Sequence, residues 1–225
     1  CGERRIKSWW YHSSSNVYYN GKSYYKEPGS SSWNENSFDF AFKTVGDYSG
    51  DEPDGVTDYF AVVVGISDYY GDDYDLPYSD DNARSMASIL SNSGWDVELL
   101  IDVNAIEVKN KLSLIKDQED GDDVVLFYFN GHGYNAYWPD APSESLIELT
   151  DGTSLKAHNL NEIFDEFASE KIVFIFDCCG SGGFIKLEEN LAKNGRIILA
   201  SSDVDQVSWQ YLNLKSSLFT YYLLR

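Results

Sequence analysis

Two short stretches hold the residue types that could do covalent chemistry. In one, the apolar run Ile172–Phe176 reaches Asp177 and passes into Cys178-Cys179-Gly180-Ser181-Gly182-Gly183. In the other, Val124–Phe129 runs through Asn130 and Gly131 into His132 and Gly133. A thiol is a nucleophile and an imidazole carries protons near neutral pH, so Cys and His together suit acyl transfer. The small residues after the cysteines let another backbone approach and leave amide N–H groups free for an oxyanion.

Both runs are rich in β-branched and aromatic residues and read as strands buried on both faces, as in a parallel sheet. Both reactive residues then follow the carboxyl ends of core strands, the edge where open α/β sheets bind ligands. The remaining elements alternate. Tyr59–Ile66 reads as the first core strand, Asp81–Ser93 as a helix with Ala83, Met86, Ala87 and Leu90 on its buried face, and Trp95–Ile101 as the second strand. Asn104 and Glu107 form a capping-box start for a helix that buries Val108, Leu112 and Ile115. Leu146–Leu149 reads as a short strand at the sheet edge. Asn159 and Glu162 repeat the capping pattern ahead of Leu160, Ile163, Phe164 and Phe167. Phe184–Asn194 is polar, Arg196–Ala200 is a further strand, and Ser216–Arg225 reads as the start of a helix. Strand–helix–strand alternation with right-handed crossovers predicts an α/β fold, a mostly parallel sheet sandwiched by helices.

Residues 1–57 differ. They are rich in Tyr, Trp, Ser, Asn and Gly, and Asn16–Tyr19 and Phe38–Lys43 read as strand pieces between turn signals. The expected organisation is an aromatic-rich extension over 1–57, either a small β unit or a pro-segment, ahead of a catalytic domain over 58–225. Residues past Arg225 are expected, because the last helix has barely begun.

The 225 residues carry a net charge of −20. Such a surface repels nucleic acid and anionic membranes and attracts cations and basic peptides. No apolar run reaches membrane-spanning length. The third cysteine, Cys1, has no metal-ligand spacing to the others, and adjacent cysteines bridge only under strain, so a disulfide framework is not expected. Cys1-Gly2 fits the start of a lipid-anchored secreted protein after signal removal, with a cytoplasmic chain as the alternative. The loop Ser67–Tyr78 holds Asp68, Asp72, Asp73 and Asp75 without the spacing of a calcium-binding loop, and reads as solvated. His158 reads as a surface residue, and His12 lies in the extension.

With these residues in place, the chain resembles the caspase–metacaspase superfamily of cysteine peptidases, most nearly the prokaryotic metacaspase-like members. The matching pieces are Ala61–Tyr69, Leu76–Leu90, Phe127–Gly133, Phe174–Gly183 and Arg196–Trp209. The resemblance implies a caspase-like fold with His132 and Cys179 as a catalytic dyad, Cys178 standing in the usual serine-like position. It implies an oxyanion hole from the amides of Gly133 and Cys179, and a specificity pocket walled by Asp177, Asp81 and Asn130. Asn82 stands where relatives often carry Asp, and Gly180 where they often carry a larger residue. A partly buried carboxylate at Asp177 favours Arg or Lys before the scissile bond, Arg through a two-toothed pair. Substrate would add as a strand along Ser201–Asp205, with Ser201 in the binding set. Lys186 and Lys193 are candidate processing sites if the enzyme is a zymogen. The chemistry needs no cofactor, and Ca2+ is a candidate activator. The expected partners are proteins or peptides with basic residues. The rival readings are a catalytically silent caspase-like binding module and a transpeptidase on the same fold.

Overall fold

The computed structural model describes residues 23–25, 34–36, 53–135 and 144–225. The expected strand pieces Asn16–Tyr19 and Phe38–Lys43, and His12, lie outside them. The chain divides into two units, Cys1–Val45 and Gly46–Arg225. The first contains strands β1 (Ser23–Tyr25) and β2 (Asn34–Asn36), paired antiparallel.

The second unit follows the predicted alternation. In chain order it holds β3 (Tyr59–Gly65), α1 (Ser79–Asn92), β4 (Asp96–Ile101), α2 (Ala105–Lys116), β5 (Val124–Asn130), β6 (Gly133–Tyr134), β7 (Leu146–Glu148) and β8 (Ser154–Lys156). Then come α3 (Ala157–Phe164), β9 (Ile172–Asp177), α4 (Gly183–Lys186), β10 (Arg196–Ala200), β11 (Gln210–Tyr211), β12 (Ser216–Ser217) and α5 (Leu218–Leu223). Five strands form one parallel sheet in the order β10-β9-β5-β3-β4.

Period-2 alternation divides each central strand between two cores. Phe60, Val62 and Val64 of β3, with Val125, Phe127 and Phe129 of β5 and Phe174 and Phe176 of β9, pack with Val108 and Leu112 of α2 and Leu160 and Phe164 of α3. Ala61 and Val63, with Leu126, Tyr128 and Ile175, face Ala83, Met86, Ala87 and Leu90 of α1, and Phe219 of α5 packs against this core. Helices therefore cover both faces, which is why the strands read as continuous apolar runs.

Three local expectations shift. Leu146–Glu148 joins not the main sheet but a separate antiparallel one, β6-β7-β8, because its partners are Gly133–Tyr134 and Ser154–Lys156. Helix α3 starts at Ala157, ahead of Asn159: the Asn159 side chain reaches back 3.2 Å to accept the Lys156 N–H, so it caps from inside the first turn. Residues 184–194 supply only the short α4. The Asn104–Glu107 capping box forms as expected, with Asn104 Oδ1 accepting from Ile106 and Glu107, and Glu107 Oε2 accepting from Asn104.

Candidate active site

Strand register brings the two reactive residues together. Asn130 at the end of β5 is the register partner of Asp177 at the end of β9. His132 and Cys179 each lie two residues further on, at the same edge of adjacent strands. Gly133 is wedged between them: a side chain there would meet Cys178 Sγ at 2.6 Å and Cys179 O at 2.7 Å. Only hydrogen fits, so the Gly-His-Gly run is what lets the two loops close.

His132 is held through both its ring and its backbone. His132 Nε2 lies 2.8 Å from the Tyr74 carbonyl. A carbonyl only accepts, so Nε2 carries the proton and the neutral ring keeps Nδ1 as its base. The His132 N–H donates to the Tyr69 hydroxyl at 2.7 Å, and the Tyr69 ring lies 4.6 Å from the imidazole. Burial pushes the Tyr69 phenol well above its ordinary range, so it stays a neutral hydroxyl. The His132 carbonyl accepts from Glu148 N on β7. Gly133 and Ile147 therefore form a pair that exchanges no hydrogen bonds, and the Gly133 N–H points away from β7.

The two thiols occupy different environments. Both are free. Cys178 is 1% exposed and belongs to the core under β5 and β9. Cys179 is partly accessible and meets Ser208: the Ser208 N–H donates to Sγ at 3.4 Å, and the S–H faces the Ser208 carbonyl at 3.9 Å. Burial raises the Cys179 thiol, the Ser208 N–H opposes that shift, and the Asp177 charge adds to it. Burial raises Cys178 well above the ordinary thiol range, so it remains a neutral thiol. Tyr134, near both Glu148 and Cys179, is pushed up to about 12 chiefly by burial.

The loop after Cys179 is pinned by its neighbours. Gly180 sits at φ +63°, and the Asn135 amide nitrogen lies 2.4 Å from where its Cβ would be. That amide donates to Gly180 O at 2.7 Å and Val204 O at 2.8 Å. A larger residue at 180 would collide there, which gives the glycine a structural reason.

Asp177 is 3% exposed and its carboxylate is crowded with donors. Oδ1 accepts from Ser208 Oγ at 2.7 Å. Oδ2 accepts from Ser217 Oγ, Thr220 Oγ1 at 2.7 Å and Thr220 N at 3.2 Å. Since the Thr220 hydroxyl donates to Asp177, it accepts from the Tyr128 hydroxyl at 2.6 Å. Asn130 sits beside this network, its amide 3.4 Å from Ser217 Oγ and 3.5 Å from the Asn82 amide.

Other expected residues fall elsewhere. Asp81 is exposed; α1 turns its neighbour Asn82 inward with Ala83 and Met86, so no acid replaces Asn82 in this cluster. Ser201 does not present a free hydroxyl, because Oγ lies 3.2 Å from Cys178 O. Nor is Ser201–Asp205 an open edge: Ser201 N donates to Phe176 O, and Ser202 O and Val204 O accept from Gly182 N and Asn135. The chain beside Cys179 is instead Ser208 leading into β11. Lys186 is ion-paired with Asp203 at 2.6 Å and Lys193 with Asp165 at 2.6 Å. His158 is half-exposed, with Nδ1 on Glu144. Among the described residues one trio of carboxylates, Asp54, Asp120 and Asp122, has oxygens within 4.8 Å of one another, but it lies before β5, at the opposite end of that strand from His132.

A profile of the caspase domain matches residues 58–225. The chain belongs to the caspase-domain family. That family is one of cysteine peptidases, whose substrates are proteins. No curated protein matches it in sequence. Among solved structures, protein GSU0716 from Geobacter sulfurreducens superposes with a TM-score of 0.62 at 18% identity, over 75% of this chain and 81% of that one. Caspase-1 from Spodoptera frugiperda gives a TM-score of 0.57 at 15% identity, over 75% and 68%. These likenesses establish the caspase fold. No helix among the described residues is long and apolar enough to cross a membrane.

Proposed function

We propose that this caspase-family chain is a cysteine endopeptidase that cuts after Arg or Lys through an acyl-enzyme, with Cys179 as nucleophile and His132 as proton carrier. The observation that carries this is the Asn130–Asp177 register, which brings the partly accessible thiol and the oriented imidazole to one sheet edge. His132 Nδ1 takes the Cys179 proton as sulfur attacks the carbonyl, and delivers it to the leaving amine when the C–N bond breaks. Water then hydrolyses the thioester. The amides of Gly133 and Cys179 receive the oxyanion; losing one such donor costs about 3 kcal/mol in the transition state.

The preference for a basic residue rests on Asp177, a buried carboxylate two residues before the nucleophile. Substrate backbone pairs with the open edge of β11, which begins two residues after the Ser208 contact to Cys179. Ca2+ is proposed as an activator, and processing after Lys186 or Lys193 requires breaking the ion pair that holds each.

The test is cleavage of matched fluorogenic peptides ending in Arg, Lys, Asn and Asp, with and without Ca2+. Wild type and Cys178→Ala cut the Arg and Lys peptides, and Cys179→Ala does not. A free carboxylate in the product marks hydrolysis, whereas a new amide marks transpeptidation. Cleavage by Cys179→Ala, or none by wild type under either condition, refutes the proposal.

A further inference from the structure

The acidic loop between β3 and α1 reaches His132 from both of its halves. Tyr69 offers its hydroxyl to the His132 N–H, and Tyr74 offers its carbonyl to Nε2. The Tyr69 side chain is buried, but Tyr70 and Tyr74 are 87% and 61% exposed, and residues 72–74 form one turn of 3-10 helix. Apolar burial therefore does not fix the Tyr74 carbonyl. Its position depends on the hydrogen bonds that shape the loop.

The base of the loop is closed from the sheet. Asp102, just past β4, sits at φ +50°, a conformation that Asp and Asn adopt more readily than other side chains. From there its Oδ1 accepts Ser67 N at 2.7 Å and Asp68 N at 2.9 Å. Leu76 N donates to Ser67 O at 2.9 Å and joins the two ends. Above that base one side chain spans the loop: Asp75 Oδ1 accepts the Tyr69 N–H at 3.0 Å. Asp68, Asp72 and Asp73 carry the same group, yet among the described residues none of their carboxylates accepts a hydrogen bond. Asp75 directly follows Tyr74, so its bond to Tyr69 sets where the Tyr74 carbonyl lies. The contacts to the His132 backbone and to its ring are thereby joined by a third.

Resting on the proposed Cys–His chemistry, we infer that Asp75 is a positioning residue for His132: by tying Tyr69 to the turn at Tyr74, it holds the carbonyl that anchors the imidazole through Nε2. An anchored ring keeps its proton on Nε2 and presents Nδ1 as the base. Without the tie, the exposed turn relaxes into water and Nε2 loses its acceptor. The ring is then free to turn about its side-chain bonds, and less of it stands ready to take the Cys179 proton. Asp75 acts through Tyr74 and not on the reacting atoms.

The experiment measures water exchange of the His132 Nε2 proton by NMR, together with kcat and KM, in wild type, Asp75→Ala and Asp75→Asn. The chain has three histidines, so 15N-histidine labelling resolves each imidazole, with His158→Gln to assign the signals. In Asp75→Ala the exchange is expected to accelerate about tenfold, the value of one charge-assisted hydrogen bond. On the best peptide kcat falls about tenfold, with KM changed less than about twofold. Asp75→Asn keeps an acceptor in the same place without the charge and restores both readouts to within about threefold of wild type. The His158 imidazole, held by Glu144, reports on the fold and stays unchanged in both Asp75 variants. An exchange rate unchanged in Asp75→Ala overturns the assignment. So does a loss in Asp75→Asn equal to that in Asp75→Ala, since the charge and not the bond is then the agent. A wild type that cuts no peptide refutes the proposed function, while the exchange rates still decide the role of Asp75.

Discussion

Replacing Thr220 by Val tests how the Asp177 carboxylate is held. The two side chains have nearly the same shape, so the change removes a hydroxyl and little else. That hydroxyl donates to Asp177 Oδ2 and accepts from Tyr128, whose ring is fully buried. Two losses follow. Asp177 gives up one charge-assisted hydrogen bond, about 1.5 kcal/mol, and the Tyr128 hydroxyl is left buried without its acceptor, about another 1.5 kcal/mol. The Asn130 amide also reaches the Tyr128 hydroxyl, but an N–H cannot replace the lost acceptor. Thr220→Val should therefore destabilise by about 3 kcal/mol. Tyr128→Phe alone removes one neutral hydrogen bond and leaves the Thr220–Asp177 bond intact, for about 1 kcal/mol. In the double variant the orphaned hydroxyl is gone, and about 2 kcal/mol remains where simple addition gives about 4. The measurement is urea unfolding of the four proteins. Additivity within about 0.5 kcal/mol would show that the three groups are not one chain of hydrogen bonds, and the reasoning would fail.

Two further outcomes can be stated. Burial disfavours the charged form of Cys179 and raises its pKa, so the thiolate fraction grows only as pH climbs past the ordinary thiol range. Iodoacetamide modification of Cys179 should accelerate through that alkaline region while Cys178, 1% exposed, stays unmodified in the folded protein; a midpoint in the acid range would contradict the burial argument. Gly180→Ala forces a side chain to φ +63° and to within 2.4 Å of the Asn135 amide. It should lower stability by about 1–3 kcal/mol and reduce kcat as the Cys loop shifts, and an unchanged Tm with full activity would refute the role given to Asn135.

The sheet and its reactive edge were legible because they are written in local pattern. Apolar runs buried on both faces identified β3, β5 and β9, and their ends placed His132 and the Cys178–Cys179 pair at one edge without any long-range information, while the choice of Cys179 within the pair came from the resemblance. What escaped was tertiary. Tyr74 orients His132 through a backbone carbonyl, which every residue has. Ser208, Ser217 and Thr220 are ordinary hydroxyl residues until the register brings them onto Asp177. Helical phase decided between Asp81 and Asn82, and one residue of error turned a wall of the pocket out to solvent. Ser201–Asp205 has the composition of an open edge, yet its polar groups already hold the Cys loop.

Three of the four hydrogen bonds on Asp177 come from Ser217 and Thr220, about forty residues downstream. A ribosome therefore makes the thiol, the imidazole and the acid well before it makes the groups that anchor the acid. A nascent chain ending short of Ser217 would have to bury beside Cys179 a carboxylate that keeps only the Ser208 hydrogen bond, which disfavours closing that edge. The order of synthesis itself then delays closure of the Cys179 edge until α5 has emerged.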